Sequence, residues 1–125
     1  MKIANILSIL LATVLGIISA QWIFSPESAA QSLSMLYMEG DARNTQVRDF
    51  TAFFLGTSIM SILSFITKQY QWIFSAGLIF LIAGIFNVLT AINYETEIAV
   101  ASLISELIFT CMAFTAAYIY KTNNL

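Results

Sequence analysis

Glu106 is a carboxylate set inside an apolar run, Ile98 to Tyr120, about 8 residues from the run's outer end. A carboxylate at such a depth on an isolated membrane helix costs roughly 2.5–3.5 kcal/mol or more, so it belongs against a partner in a bundle interior. Three other groups can supply one. Asn87 lies in the preceding apolar run, about 5 residues from its outer end. Arg48-Asp49 stands at the entrance to the second run, with Arg43 one to two turns earlier. A guanidinium carries five donors and suits a carboxylate better than an ammonium does. The expected arrangement is a polar cluster of Arg43 or Arg48 with Asp49, Asn87 and Glu106, and Ser102 nearby.

Beyond these residues the chain offers little for catalysis. It has no histidine, which removes the commonest general base and metal ligand. Its one cysteine, Cys111, has no partner for an internal disulfide. No nucleophile–base pair, metal-ligand set or phosphate loop is visible, so neither an enzyme nor a cofactor is expected. The net charge is −2 and there is no basic run, which argues against a nucleic-acid partner.

The elements that must position the cluster follow from composition. The 125 residues are 59% hydrophobic and 10% charged, against about 25% charged in soluble domains. Most of such a chain must be solvated by lipid. Four apolar runs, 3–24, 50–67, 72–92 and 98–120, are each long enough to cross a bilayer. The expected fold is therefore all-α: a single integral-membrane domain, an antiparallel bundle of four transmembrane helices. Trp22, Tyr70, Trp72, Tyr94, Tyr118 and Tyr120 stand near the run ends, where aromatic rings anchor at the interface. The first run has a minimal basic start and a passable cleavage site at Ile18-Ser19-Ala20. It exceeds a typical signal core, so a retained helix is expected.

Two links, Lys68 to Gln71 and Asn93 to Glu97, are short enough to force antiparallel neighbours. The link from Ser25 to Asp49 is longer. Ser25-Pro26-Glu27 is a strong helix start. Ala29, Ala30, Leu33, Leu36 and Tyr37 then fall on one face. This predicts a short amphipathic interfacial helix over about 26–38, ending at Gly40. Lys2, Lys68 and Lys121 fall at one end of the bundle; Arg43 and Arg48 fall at the other. The positive-inside rule then places both termini in the cytoplasm of a cell membrane, by a margin of three to two.

Helix periodicity turns Glu106 inward. Ala99, Ser102, Thr110, Ala113 and Ala117 share its stripe, while Ile104, Ile108, Cys111 and Ile119 lie opposite. Small residues mark helix contacts in membranes because they let backbones approach. Asn87 shares a similar stripe with Ala76, Ala83, Gly84, Thr90 and Ala91. At 1.5 Å per residue the two polar side chains differ in depth by ~5 Å. On the first run Ser8, Ala12, Gly16 and Ala20 form a second ridge of small residues, suited to packing within the chain or against another subunit.

The segment Gly40-Asp41-Ala42-Arg43-Asn44-Thr45-Gln46-Val47-Arg48-Asp49-Phe50-Thr51-Ala52-Phe53-Phe54-Leu55-Gly56 resembles the DoxX-like small bacterial four-helix membrane proteins and their relatives of unknown function. The shared layout is an apolar first helix, a Pro-Glu loop start (Pro26-Glu27) and an arginine-bearing entry to a glycine-containing second helix. The resemblance implies the four-helix fold and a bacterial inner membrane. Some such proteins are associated with quinone-linked oxidoreductases. Three functions suit these observations. The first is a structural or accessory subunit of a membrane complex, or a homo-oligomer. The second is a proton- or solute-coupled transporter using Glu106. The third is a quinone- or lipid-binding component, with Phe50, Phe53, Phe54, Phe80 and Phe86 lining an apolar pocket. The partners implied are the lipid bilayer and other membrane subunits or a second copy.

Overall fold

The computed structural model describes residues 1–123. It contains five helices among them: α1 (Lys2–Phe24), α2 (Pro26–Ser32), α3 (Gly40–Thr67), α4 (Tyr70–Asn93) and α5 (Val100–Asn123). All but α2 are long and apolar enough to cross a membrane. The protein is an all-α, multi-pass membrane protein whose four long helices form a bundle. Helix α1 packs on α3 and α5, and α4 packs on the same two helices. Lys2, Lys68 and Lys121 gather at one end, hereafter the lysine end.

Small residues make up much of the interior, beside the larger Leu11, Leu15, Trp22, Ile73, Phe80 and Tyr120, and many large aliphatic side chains face outward. Ala4, Ser8, Ala12, Ser19, Thr57, Ser61, Ser64, Ala76, Gly77, Ala113, Ala116 and Ala117 are buried. Ile6, Ile17, Ile59, Ile66, Phe86, Ile104 and Leu107 face outward. In lipid, burying a leucine confers no hydrophobic gain, so close backbone approach and van der Waals contact hold helices together. The ridge on α1 serves this purpose within the chain. Ser58 of α3 donates its hydroxyl to the carbonyl of Ala12 at 2.7 Å. A Cβ on Gly16 would lie 3.3 Å from the same hydroxyl. Between α4 and α5 the approach is closer. A Cβ on Gly77 would meet Ala113 and Phe114 at 2.8 Å.

Local side chains set the ends of the helices. Lys68 takes a left-handed conformation (φ 58°) that stops α3. Ser64 then donates to the carbonyl of Gln69 at 2.7 Å and accepts from the amide of Ile73 at 2.8 Å, which binds the start of α4 to the end of α3. Beside this hairpin the Asn5 carboxamide oxygen accepts from Lys68 Nζ at 2.8 Å and from the Tyr120 hydroxyl at 3.0 Å. Tyr120 also shares a hydrogen bond with Ser8 at 3.0 Å. One network thus joins α1, α3 and α5 at the lysine end.

Two boundaries differ from those expected. Helix α2 ends at Ser32 rather than near residue 38, because Ser34 turns left-handed (φ 59°) and Met35 bonds back to the carbonyl of Ala30. Ala29 and Ala30 remain buried as the amphipathic pattern requires, while Leu36 is 78% exposed. Helix α3 starts at Gly40, not near Phe50. Gln46 explains the order in between. This buried side chain donates to the carbonyl of Leu36 and accepts from the amide of Met38, both at 3.0 Å, and so fastens the link to the first turns of α3.

Candidate ligand chamber

The bundle is not filled at the end opposite the lysines. A cavity of about 780 Å³ opens there, walled by α1, α2, α3, α4 and α5. Ligand sites typically measure ≈ 300–1,000 Å³. Its floor is aromatic. Phe53 meets Phe54 and Phe80 edge-on at 5.0 and 5.3 Å, and Phe80 meets Phe109 at 5.1 Å. Trp22 and Phe50 stack at 4.9 Å to form one side. Ala29, Ser32, Leu33 and Met35, from α2 and the turn after it, line the chamber as well.

Glu106 lines this chamber from the second turn of α5. Its backbone carbonyl accepts from the Thr110 hydroxyl at 2.7 Å. Its carboxylate lies against Gly84, whose missing side chain makes room: a Cβ there would sit 3.6 Å from Oε2. Oε2 is shielded from solvent and has no hydrogen-bond partner among the described residues. The same holds for Trp22 Nε1 on the opposite wall. Beside the chamber, then, one acceptor atom and one donor atom are buried without a hydrogen-bond partner among the described residues. Such groups are uncommon, since an unmade hydrogen bond in a dry site costs about 1–3 kcal/mol.

The residues expected to surround Glu106 divide into two sets. Asn87 and Asp49 line the chamber with it, as does Ser102. Asn87 stands beside the Glu106 carboxylate as a side-chain hydrogen-bonding partner and also clasps the backbone at the entry of α5. Its Nδ2 donates to the Ala99 carbonyl, and its Oδ1 accepts from the Ala99 amide, each at 3.1 Å. The arginines do not reach the carboxylate. Arg48 pairs with Asp49 at 3.1 Å, both side chains more than 60% exposed, and also donates to Asn44 at 3.4 Å. Arg43 donates to the carbonyl of Met38 at 2.9 Å and lies 4.5 Å over the Tyr37 ring. The expected Arg–Glu106 contact is thus corrected. Because α3 begins at Gly40, both arginines project from a helix surface and are spent on neighbours in sequence.

The ionisable side chains lining the chamber are Asp49, Glu97 and Glu106, all acidic. Asp49 is offset by Arg48, and Glu97 is exposed beside the α4–α5 link. Glu106 is the only one of the three whose carboxylate has a shielded, unbonded oxygen among the described residues.

Sequence reasoning missed Trp22 and Gln21 as chamber walls and Tyr120 as a core residue at the lysine end. Trp22 and Tyr120 were expected at the lipid interface but both are fully buried. Gln21 was left out of the cluster, yet it lines the chamber and contacts Ser32 of α2 at 3.5 Å. A usable signal existed for the tryptophan: it shares a helix face with the buried Leu11, Leu15 and Ser19. No family model, curated protein or solved structure matches this chain.

Proposed function

We propose that this membrane protein binds a small lipophilic molecule in the chamber between its helices. The observation that carries this reading is a cavity of about 780 Å³ between the helices, lined by Phe53, Phe54, Phe80 and Phe109 with Asn87 and Glu106 on its wall. A bundle whose only task was to scaffold a complex gains nothing from such a void, because lost contacts and unmet hydrogen bonds both destabilise it. A proton or ion path is less well supported, since the lining residues nearest the lysine end include Phe53, Phe54, Phe80 and Phe109, which carry no group to relay a proton or ligate an ion. The DoxX-like layout, some of whose members are associated with quinone-linked enzymes, fits a binder of membrane-soluble molecules. Placing the lysine end in the cytoplasm puts the chamber in the outer half of a bacterial inner membrane.

The test is native mass spectrometry of the chain released from a mild detergent, with Ala83→Trp as control. Ala83 lines the chamber, and an indole there occupies its volume. A retained small molecule is expected on the wild type and not on the variant. Equal retention by both, or a ligand-free wild type in every mild detergent, overturns the reading.

A further inference from the structure

We propose that the chamber holds one acyl chain of a membrane phospholipid from the leaflet opposite the lysine end, its tip among the phenylalanines and its headgroup at the outer rim. This rests on the binding reading above and adds the class of the ligand and its direction. Three observations carry it. The first is an order of polarity that all four long helices repeat. On each, the lining residue nearest the lysine end is apolar: Ile18, Phe54, Phe80 and Phe109. Toward the other end each wall turns polar, at Gln21, Asp49, Thr90 and Ser102. A lipid of that leaflet has the same order, its chain toward the bilayer midplane and its polar group toward water. The second is depth. From Phe80 to Thr90 the α4 wall rises about 15 Å at 1.5 Å per residue, and one leaflet's share of the hydrocarbon core is also about 15 Å. The third is access. Phe86 on α4 and Ala101 and Ser105 on α5 line the chamber and are exposed, within helices long and apolar enough to span the membrane. Ser105 spends its hydroxyl on the Ala101 carbonyl at 3.1 Å, so it offers an entering chain no unmet donor. An apolar void open to lipid gains contacts when a chain fills it. A compact lipophile without a polar end would leave the upper walls facing hydrocarbon, and a polar solute would meet the phenylalanine floor.

The test is photocrosslinking of the full chain in vesicles of dioleoyl phosphatidylcholine, with adducts mapped by mass spectrometry. One phosphatidylcholine probe carries a diazirine at the tip of an acyl chain, and a second carries it beside the ester. Adamantane diazirine serves as a lipophile without a chain. The tip probe is expected to label Phe53 and Phe109 on the chamber wall as well as Ile104 and Leu107, which face outward. The ester-side probe is expected to move the chamber adducts to Thr90 and Ser102. Ala83→Trp is expected to lose the chamber adducts of the tip probe and keep those on Ile104 and Leu107. Chamber adducts from adamantane diazirine but not from the tip probe overturn the chain assignment while the chamber reading stands. Adducts of the tip probe on Phe53 and Phe109 that survive Ala83→Trp overturn it too, as do chamber adducts at the same depth from both phosphatidylcholine probes. If no probe labels the chamber, both readings fall. Should Ala83→Trp fail to fold, the comparison of tip and ester-side probes on the wild type decides by itself.

Discussion

Asn87 grips the backbone of Ala99 with both halves of its carboxamide, each hydrogen bond 3.1 Å long, and so ties the entry of α5 to the middle of the last turns of α4. Glu106 lies two turns further along α5, so this clasp sets where the carboxylate stands in the chamber. Asn87→Leu removes both bonds at similar volume and is expected to cost about 1–3 kcal/mol. Hydrogen exchange checks the location of the effect. The Ala99 amide is expected to lose protection while amides at the lysine end keep theirs.

The glycines separate close packing from spare room. Gly77→Ala drives a methyl group into Ala113 and Phe114 at 2.8 Å, neither of which can retreat without moving α5. A loss of about 1–3 kcal/mol is expected. Gly56→Ala meets nothing within 4 Å, and alanine's better helix propensity makes it neutral or stabilising by up to about 1 kcal/mol. Thermal unfolding of the two variants in one detergent gives the comparison.

At the lysine end, Tyr120→Phe deletes the hydroxyl shared by Asn5 and Ser8. Interhelical hydrogen bonds in membranes average ≈ 0.6 kcal/mol, so about 1 kcal/mol is expected for the pair. A double-mutant cycle with Ser8→Ala should give a coupling energy clearly different from zero. Strict additivity would show that the Ser8–Tyr120 contact contributes nothing.

Arg48 supplies the opposite case. Its pairing with Asp49 is exposed, and such ion pairs contribute about 0–1 kcal/mol. Arg48→Ala is expected to stay within that range. In a cycle with Glu106→Gln the two effects should simply add, because no contact joins them. Measured coupling above about 0.5 kcal/mol would restore the arginine as the carboxylate's partner.

Much of this was legible in the residues, and the reasons for the rest are physical. The inward turn of Glu106 followed from period alone, because Ala113 and Ala117 share its stripe and both are buried. The exposure of Ile104, Ile108 and Cys111 followed from the same period. The arginines were misplaced because charged residues before an apolar run read as loop, whereas Gln46 and Arg43 clamp that stretch into an early start of α3. Trp22 was misplaced because a ring at a run end usually anchors in headgroups. Here Phe50 offers it a stacking face inside the bundle. The phenylalanines expected to line an apolar pocket, Phe50, Phe53, Phe54, Phe80 and Phe86, all line the chamber, but its size had no signature, since an aromatic residue lining a cavity and one filling a core look alike in a sequence.

The phenylalanine floor has one more implication. Phe53, Phe54, Phe80 and Phe109 line the chamber on its lysine-end side, and none of the four carries a hydrogen-bonding side-chain group. That stretch of wall offers a proton or a hydrated ion nothing to step along, so it is a barrier to charge.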